Sequence, residues 1–186
     1  THRKLALLFG PIEDRTADER KEGEAWEIPK VSNVRADGSI TGEMDLHTLN
    51  LRSNMLWHAD STFLPVPALT NILTARVVTT TGGATELAST RAAWAAMPED
   101  LKAKIRGRGV WHRYSHSRAQ ISPELARLAM FNKWPDTHWK ALWPNPVNGR
   151  KALYLASHAF RIDGYDEAES QQILNDLIGF CTQPEF

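Results

Sequence analysis

A histidine and an aspartate two residues apart, His58 and Asp60, are the side chains of this sequence best suited to chemistry. They lie within Asn54-Met55-Leu56-Trp57-His58-Ala59-Asp60-Ser61-Thr62-Phe63. On an extended strand, side chains at i and i+2 leave from one face, so the imidazole and the carboxylate can meet at one ion. One imidazole and one carboxylate are two of the three protein ligands of the facial triad that holds non-haem Fe(II) and leaves coordination positions open. The same spacing also suits a histidine hydrogen-bonded to an aspartate at a strand end, and the pair alone leaves both readings open. Asn54, four residues before His58, shares the same face if the strand reaches back that far.

Other histidines offer less. His112 and His116 are four apart and share a face on a helix or a strand; Val110, Trp111 and Tyr114 around them favour a strand. The expected reading there is hydrogen-bonded or half-exposed histidine. His2, His47 and His138 sit in polar contexts and are expected at the surface. No His-Glu-x-x-His run is present, which argues against a zinc hydrolase built on His58 and Asp60. Trp111, Trp134, Trp139 and Trp143 cluster in sequence and suit ordinary packing or an apolar pocket wall. Lys102, Lys104, Arg106 and Arg108 read as a solvated basic face.

The elements that must position these groups belong to a chain of 186 residues, enough for about one domain. Hydrophobic residues make up 42%, sufficient for a packed core. Lys+Arg 22 balance Asp+Glu 22, so no global field exists to hold nucleic acid or an anionic membrane. The lone Cys181 cannot form an intrachain disulfide, and neither a membrane span nor a signal peptide is visible. A cytoplasmic location is expected. The start at Thr1 and the helix end read at Lys4–Phe9, closed by Gly10-Pro11, suggest the interior of a longer single-domain protein spanning 1–186 here.

Residues 12–53 read as a long polar surface loop with short extended pieces near Ile28 and Val31. The β-branched run 71–80 and the short stretch 85–88 read as strands separated by Gly82-Gly83. Helices are expected over 91–96, from Pro98 to about Ile105, over 122–130, and after Asp166, whose partner Glu169 completes a capping-box pattern. Strands are expected at 110–114 and 152–156, with a polar loop over 132–148. Strands with interspersed helices and no regular alternation favour α+β with an antiparallel sheet.

The stretch around His58 resembles the TauD/TfdA family of Fe(II)- and 2-oxoglutarate-dependent dioxygenases. Members carry W-H-x-D-x-[ST]-[FY], matched by Trp57, His58, Asp60, Thr62 and Phe63. Leu8-Phe9-Gly10-Pro11-Ile12-Glu13 is similar to the family's R-F-G-P-L-E. Gly82-Gly83-Ala84-Thr85 with Arg91-Ala92-Ala93-Trp94 is similar to G-G-[DE]-T followed by R-A-A-Y. Gly149-Arg150-Lys151-Ala152-Leu153-Tyr154 with Ser157-His158-Ala159 is similar to the G-R-K-x-L-Y…x-H-A of the TfdA-like branch, and Thr182-Gln183-Pro184 to the T-Q-P that follows. Two departures are Ala84, where an acid is common, and Trp143 before Pro144, where histidine is common.

That resemblance implies an α+β, β-rich fold: a double-stranded β-helix, or jelly roll, with flanking helices, incomplete at both ends of this sequence. It implies His58 and Asp60 as iron ligands, Thr85 as a donor to a 2-oxoglutarate carboxylate, and Asn54 and His158 on the substrate side. The second histidine ligand and the 2-oxoglutarate arginine are expected downstream of Pro184. The implied reaction uses Fe(II), 2-oxoglutarate and O₂ to hydroxylate a small organic acid, an aryloxyalkanoate being the first expectation, with release of succinate and CO₂. A homo-oligomer without nucleic-acid or membrane partners is expected. The alternative is a catalytically silent member that binds a small acid without turnover.

Overall fold

The computed structural model describes residues 2–186. In chain order its elements are α1 (His2–Ala6), α2 (Leu46–Ser53), α3 (Thr90–Ala96), α4 (Glu99–Ile105), β1 (Gly109–His112), α5 (Tyr114–Ala119), α6 (Pro123–Ala126), β2 (Thr137–Lys140), β3 (Leu142–Pro144), β4 (Lys151–Leu153), β5 (Ala159–Ile162) and α7 (Glu167–Cys181). Single 3₁₀ turns follow α1 at Leu7–Phe9 and α6 at Ala129–Phe131.

β1 is the centre of a three-stranded antiparallel sheet in the order β2–β1–β5. Val110 pairs with Trp139 on one edge and Ile162 on the other, and the register to β5 shifts between Trp111 and His112. β3 and β4 form a separate antiparallel pair. The Ala141 N–H donates to the Arg108 carbonyl at 3.0 Å, while the Ala141 carbonyl accepts from Tyr154 N–H at 2.8 Å. That residue therefore joins the two sheets.

The longest helix, α7, covers the sheet. Asp166 accepts from Glu169 N–H at 2.8 Å, and the Glu169 carboxylate accepts from Asp166 N–H at 3.1 Å, the reciprocal cap read from the sequence. Ile173, Leu174, Leu177 and Cys181 are buried at helical spacing against Val110, Ile162, Leu153 and the inner faces of α3 and α4. A second, smaller core joins Leu49 of α2, Leu125 of α6 and Phe131, with Tyr114 packed against it. α3 and α6 open on serine caps, Ser89 accepting from Ala92 N–H and Ser122 from Leu125 N–H.

Several expectations need correction. The run 71–80 forms no strand, and Val77 and Val78 are exposed. β-branched residues favour a pleated surface only where a neighbouring strand supplies the ladder, and this run has none among the described residues. The same holds for 85–88. The polar stretch 12–53 contains α2, whose buried residues are Leu49 and Ser53; a polar helix with so narrow an apolar stripe gives little periodic signal. The expected helix 122–130 breaks after Ala126 and resumes as a 3₁₀ turn, while the expected loop 132–148 holds β2 and β3. α5 occupies Tyr114–Ala119, directly after β1. The described chain is also not β-rich: its strands are three or four residues long, whereas α7 alone has 15.

β1 buries a polar group at its end. His112 has no exposed surface, and neither ring nitrogen has a partner. Burial, followed by the nearby His138, pulls its pKa down to about 3. The unfolded chain then binds a proton between pH 6.5 and about 3 that the folded chain does not, so stability falls as pH drops through that window. At pH 5 His112 alone should account for about 2 kcal/mol of lost stability relative to neutral pH. In urea titrations at pH 7 and pH 5, His112→Leu should shrink the acid-induced loss by about that amount.

Candidate active site

His58 and Asp60 lie in residues 57–64, which follow α2 and contain no regular secondary structure. The extended strand expected to align Asn54, His58 and Asp60 is absent: Asn54 is the C-cap of α2 with helical dihedrals, and its N–H is spent on the carbonyls of Arg52 and Leu51. The segment is shaped instead by contacts from the sheet side. Ser157 N–H donates to the Trp57 carbonyl at 3.0 Å. The Thr62 carbonyl accepts both the Thr137 hydroxyl at 2.8 Å and the Trp139 indole N–H at 2.7 Å, which fastens the segment to β2. Between these anchors, Ser61 takes a left-handed conformation, φ 64°, and its hydroxyl donates to Glu13. A side-chain-bearing residue there costs about 1 kcal/mol or more, and the two anchors hold it in place.

The turn brings the pair together. His58 Nε2 and Asp60 Oδ1 are 3.3 Å apart, with the two side chains 26% and 44% exposed. His58 Nδ1–H donates to the Leu56 carbonyl at 2.6 Å, which leaves Nε2 as the lone-pair nitrogen of the neutral ring. Asp60 also accepts from the Asn71 amide. An imidazole lone pair and a carboxylate oxygen 3.3 Å apart repel unless a proton or a metal ion lies between them. The Asp60 hydrogen bond accordingly raises the His58 pKa against the opposing effect of burial, and His58 lowers that of Asp60. Both donors can reach a single ion at bond lengths of ~2.0–2.2 Å, and the Nδ1–H···O=C bond is the usual outer support of a metal-binding histidine. Among the described residues, no group of three or more His, Cys, Asp or Glu side chains is placed to hold a metal.

His158 lies beside the pair. Its ring centroid is 6.3 Å from that of His58 in an edge-on arrangement, and it contacts Phe63 at 4.9 Å. Its Nδ1 is 3.4 Å from the Thr62 hydroxyl, and Nε2 is buried without a partner. Burial, then the charge of Arg118, keeps His158 neutral, well below the usual histidine range. Phe63 stacks on Tyr114 at 3.9 Å, nearly parallel, so the aromatic end of the motif packs into the smaller core. Thr85 stands apart in an exposed irregular stretch after Gly82 and Gly83, both at positive φ, and its side chain makes no hydrogen bond among the described residues. His112 and His116 are not drawn to the pair. The His116 ring lies tilted at 45° to that of Phe160, 6.0 Å between centroids, while the half-exposed His138 pairs with Asp163 at 2.8 Å.

Sequence reasoning missed Arg118. It is 3% exposed, and its guanidinium lies 4.3 Å from the Tyr114 ring centroid, within the small core. The run Tyr114–Ala119 carries little apolar periodicity, so nothing marked one of its residues as buried. A cleft of about 400 Å³ runs along the other side of the 55–57 segment, between Leu56 and Trp57 on one wall and Leu174 and Ile178 of α7 on the other. Neither His58 nor Asp60 lines it. No described helix is long and apolar enough to cross a membrane.

The model of the taurine catabolism dioxygenase TauD, TfdA family matches residues 1–186. An (S)-phenoxypropionate/alpha-ketoglutarate-dioxygenase of Sphingobium herbicidovorans is 35% identical over 188 aligned residues, covering 97% of this chain and 61% of that protein. An alpha-ketoglutarate-dependent 2,4-dichlorophenoxyacetate dioxygenase of Cupriavidus pinatubonensis is 31% identical, covering 98% of this chain and 64% of that protein. Among solved structures, AAD-2 in complex with Mn(II) and N-oxalylglycine superposes with a TM-score of 0.75 at 36% identity, over 83% of this chain and 56% of that one. The chain thus spans about three-fifths of the length of the curated relatives it matches.

The pairing of His58 with Asp60 has a direct consequence in the metal-free protein. Asp60→Ala removes the main cause of the raised His58 pKa, so the imidazole should titrate lower than in the wild type. Histidine proton resonances followed from pH 5 to pH 9 check this; an unmoved His58 pKa would mean that the two groups do not interact.

Proposed function

Because the chain belongs to the TauD, TfdA family, we propose that the protein is a 2-oxoglutarate-dependent dioxygenase whose iron is held by His58, Asp60 and a third ligand outside the described cluster. The observation that carries this reading is the lone-pair nitrogen of His58 facing the Asp60 carboxylate at 3.3 Å, a pair of donors that calls for a cation. Relatives named as alpha-ketoglutarate-dependent dioxygenases support the co-substrate, as does the N-oxalylglycine in AAD-2, a close analogue of 2-oxoglutarate. When bound, Fe(II) with 2-oxoglutarate and O₂ supplies the oxidising chemistry: one oxygen atom enters a substrate C–H bond and the other enters succinate, with loss of CO₂.

The residues of this chain orient and exclude. The Leu56 carbonyl holds the His58 ring in one tautomer, and Asn71 holds one Asp60 oxygen, leaving the other toward the ion. Thr85, which stands apart from the pair here, would donate its hydroxyl to a 2-oxoglutarate carboxylate, a role supported by the match of Gly82-Gly83-Ala84-Thr85 to the family's G-G-[DE]-T. Asn54 and His158 face the substrate; His158, kept neutral by burial, offers its unpartnered Nε2 to a polar group without adding charge. Phe63 and Tyr114 form an apolar wall that keeps water from that side. The substrate is a small carboxylic acid of the aryloxyalkanoate class, following the two relatives named for phenoxypropionate and 2,4-dichlorophenoxyacetate. The remaining fold is the jelly roll of the family, with the β2–β1–β5 sheet as part of it.

Succinate release by the full-length, Fe(II)-loaded protein tests the reading. With 2-oxoglutarate and O₂, phenoxyacetate should stimulate succinate formation. Asp60→Ala should abolish both Fe(II) binding, read by titration calorimetry, and turnover, while far-ultraviolet dichroism stays near that of the wild type. Thr85→Val should weaken 2-oxoglutarate binding by about 1 kcal/mol, one lost hydrogen bond. Failure of the full-length protein to bind Fe(II) at all would instead identify a silent family member, whereas Fe(II) and 2-oxoglutarate binding without succinate from a panel of small acids would point to a substrate outside it.

A further inference from the structure

Arg118 is a buried cation without an anion. Among the described residues it makes no salt bridge, and its hydrogen bonds go to neutral groups only. One terminal nitrogen donates to the Ser117 hydroxyl at 2.8 Å. The other serves three acceptors: Oδ1 of Asn50 at 3.1 Å, Oδ1 of Asn54 at 3.1 Å and the Tyr114 hydroxyl at 3.2 Å. The guanidinium lies 4.3 Å from the Tyr114 ring centroid and 5.2 Å from that of Phe131, and its Nε is buried without a partner. Burying such a charge is costly, and a core of this size could be built from apolar side chains.

What the charge does is fix polarity. A guanidinium has donors only, so any amide it touches must present oxygen to it. Asn50 and Asn54 are four residues apart, at the end of α2 and its C-cap, and therefore stand on one face of the helix. Arg118 turns both amides the same way. Asn54 is exposed, and its Nδ2 has no hydrogen-bond partner among the described residues, so its NH₂ group is the free end. Free asparagine amides bind through either end; this one is held with its oxygen toward Arg118 and its NH₂ group outward.

We propose that Arg118 is a positioning residue that orients Asn54 through Oδ1, so that the site offers an amide NH₂ and selects an acceptor oxygen, carboxylate or ether, on the bound acid. The inference rests on the dioxygenase reading, in which Asn54 faces the substrate. Arg118 does not itself touch the acid.

A double-mutant cycle on the full-length Fe(II) protein tests this, with succinate release as the assay and phenoxyacetate as the probe. Asn54→Ala should raise the KM for phenoxyacetate about 10- to 100-fold, the loss of one hydrogen bond to a charged group, with kcat changed much less. Arg118→Met should raise KM in the same way, and the double variant should be no worse than the weaker single variant, because Arg118 acts through Asn54. Arg118→Lys keeps the charge and donors but not the planar fork, so it should restore part of the lost affinity if Arg118→Met folds poorly. Equilibrium binding of phenoxyacetate by calorimetry should follow KM. An unchanged KM in Asn54→Ala, or strictly additive effects in the cycle, overturns the proposal while leaving the dioxygenase intact. Wild-type protein that forms no succinate from 2-oxoglutarate overturns the reading and the proposal with it.

Discussion

The structure depends on β1 being enclosed on both edges and on the face that carries Val110 and His112. Both of its edges are taken by antiparallel partners, and Val110 and His112 are fully buried. Everything that shapes the candidate site is fixed relative to this strand. β2, on one edge, supplies Thr137 and Trp139, whose side chains seize the Thr62 carbonyl. The chain leading into β5, on the other edge, supplies Ser157, whose N–H takes the Trp57 carbonyl, and His158. The segment that carries His58 and Asp60 is therefore held by carbonyl groups at its two ends rather than by a ladder of its own. A stretch without regular structure stays ordered this way because its backbone polar groups still find partners.

Three histidines in one small region show how placement sets protonation. His112 is driven to a pKa of about 3 by burial with no partner. His158 is neutral for the same reason, reinforced by the Arg118 charge. His58, more exposed and beside a carboxylate, moves the other way. A metal ligand must be neutral at the nitrogen that binds, and the Asp60 carboxylate raises its basicity while the Leu56 carbonyl selects the tautomer. Arg118 sets the opposite sign nearby, a fixed positive charge carried among aromatic rings and amides. The His58 and Asp60 donor pair and the Arg118 cation thus stand close enough for the Arg118 charge to pull against the raised His58 pKa.

The site was legible in the sequence to the extent that its chemistry is local. His58 and Asp60 lie two residues apart, and they meet in the structure as expected, although by a different route. The alternation of a strand was the wrong reason: Asn54 ends a helix, and a pinned turn with Ser61 at positive φ closes the gap. Arg118 was not legible, because its role depends on Asn50 and Asn54, 68 and 64 residues away, and no local pattern marks such a partner. The run 71–80 misled in the other direction. Its residues favour a strand, but propensity becomes a strand only when another edge is at hand.

The sequence by itself determined the local events: the α7 capping box of Asp166 and Glu169, the serine caps of α3 and α6, the Gly82-Gly83 break, and the order of motif residues that carries membership of the family. These follow from interactions within a few residues, where chain connectivity alone brings the groups together. The tertiary structure decided which strands found partners, how the 57–64 turn was fastened, and which way the Asn54 amide faces. Those outcomes rest on hydrogen bonds and burial between groups tens of residues apart, and only the folded chain sets which of the many possible pairings are made.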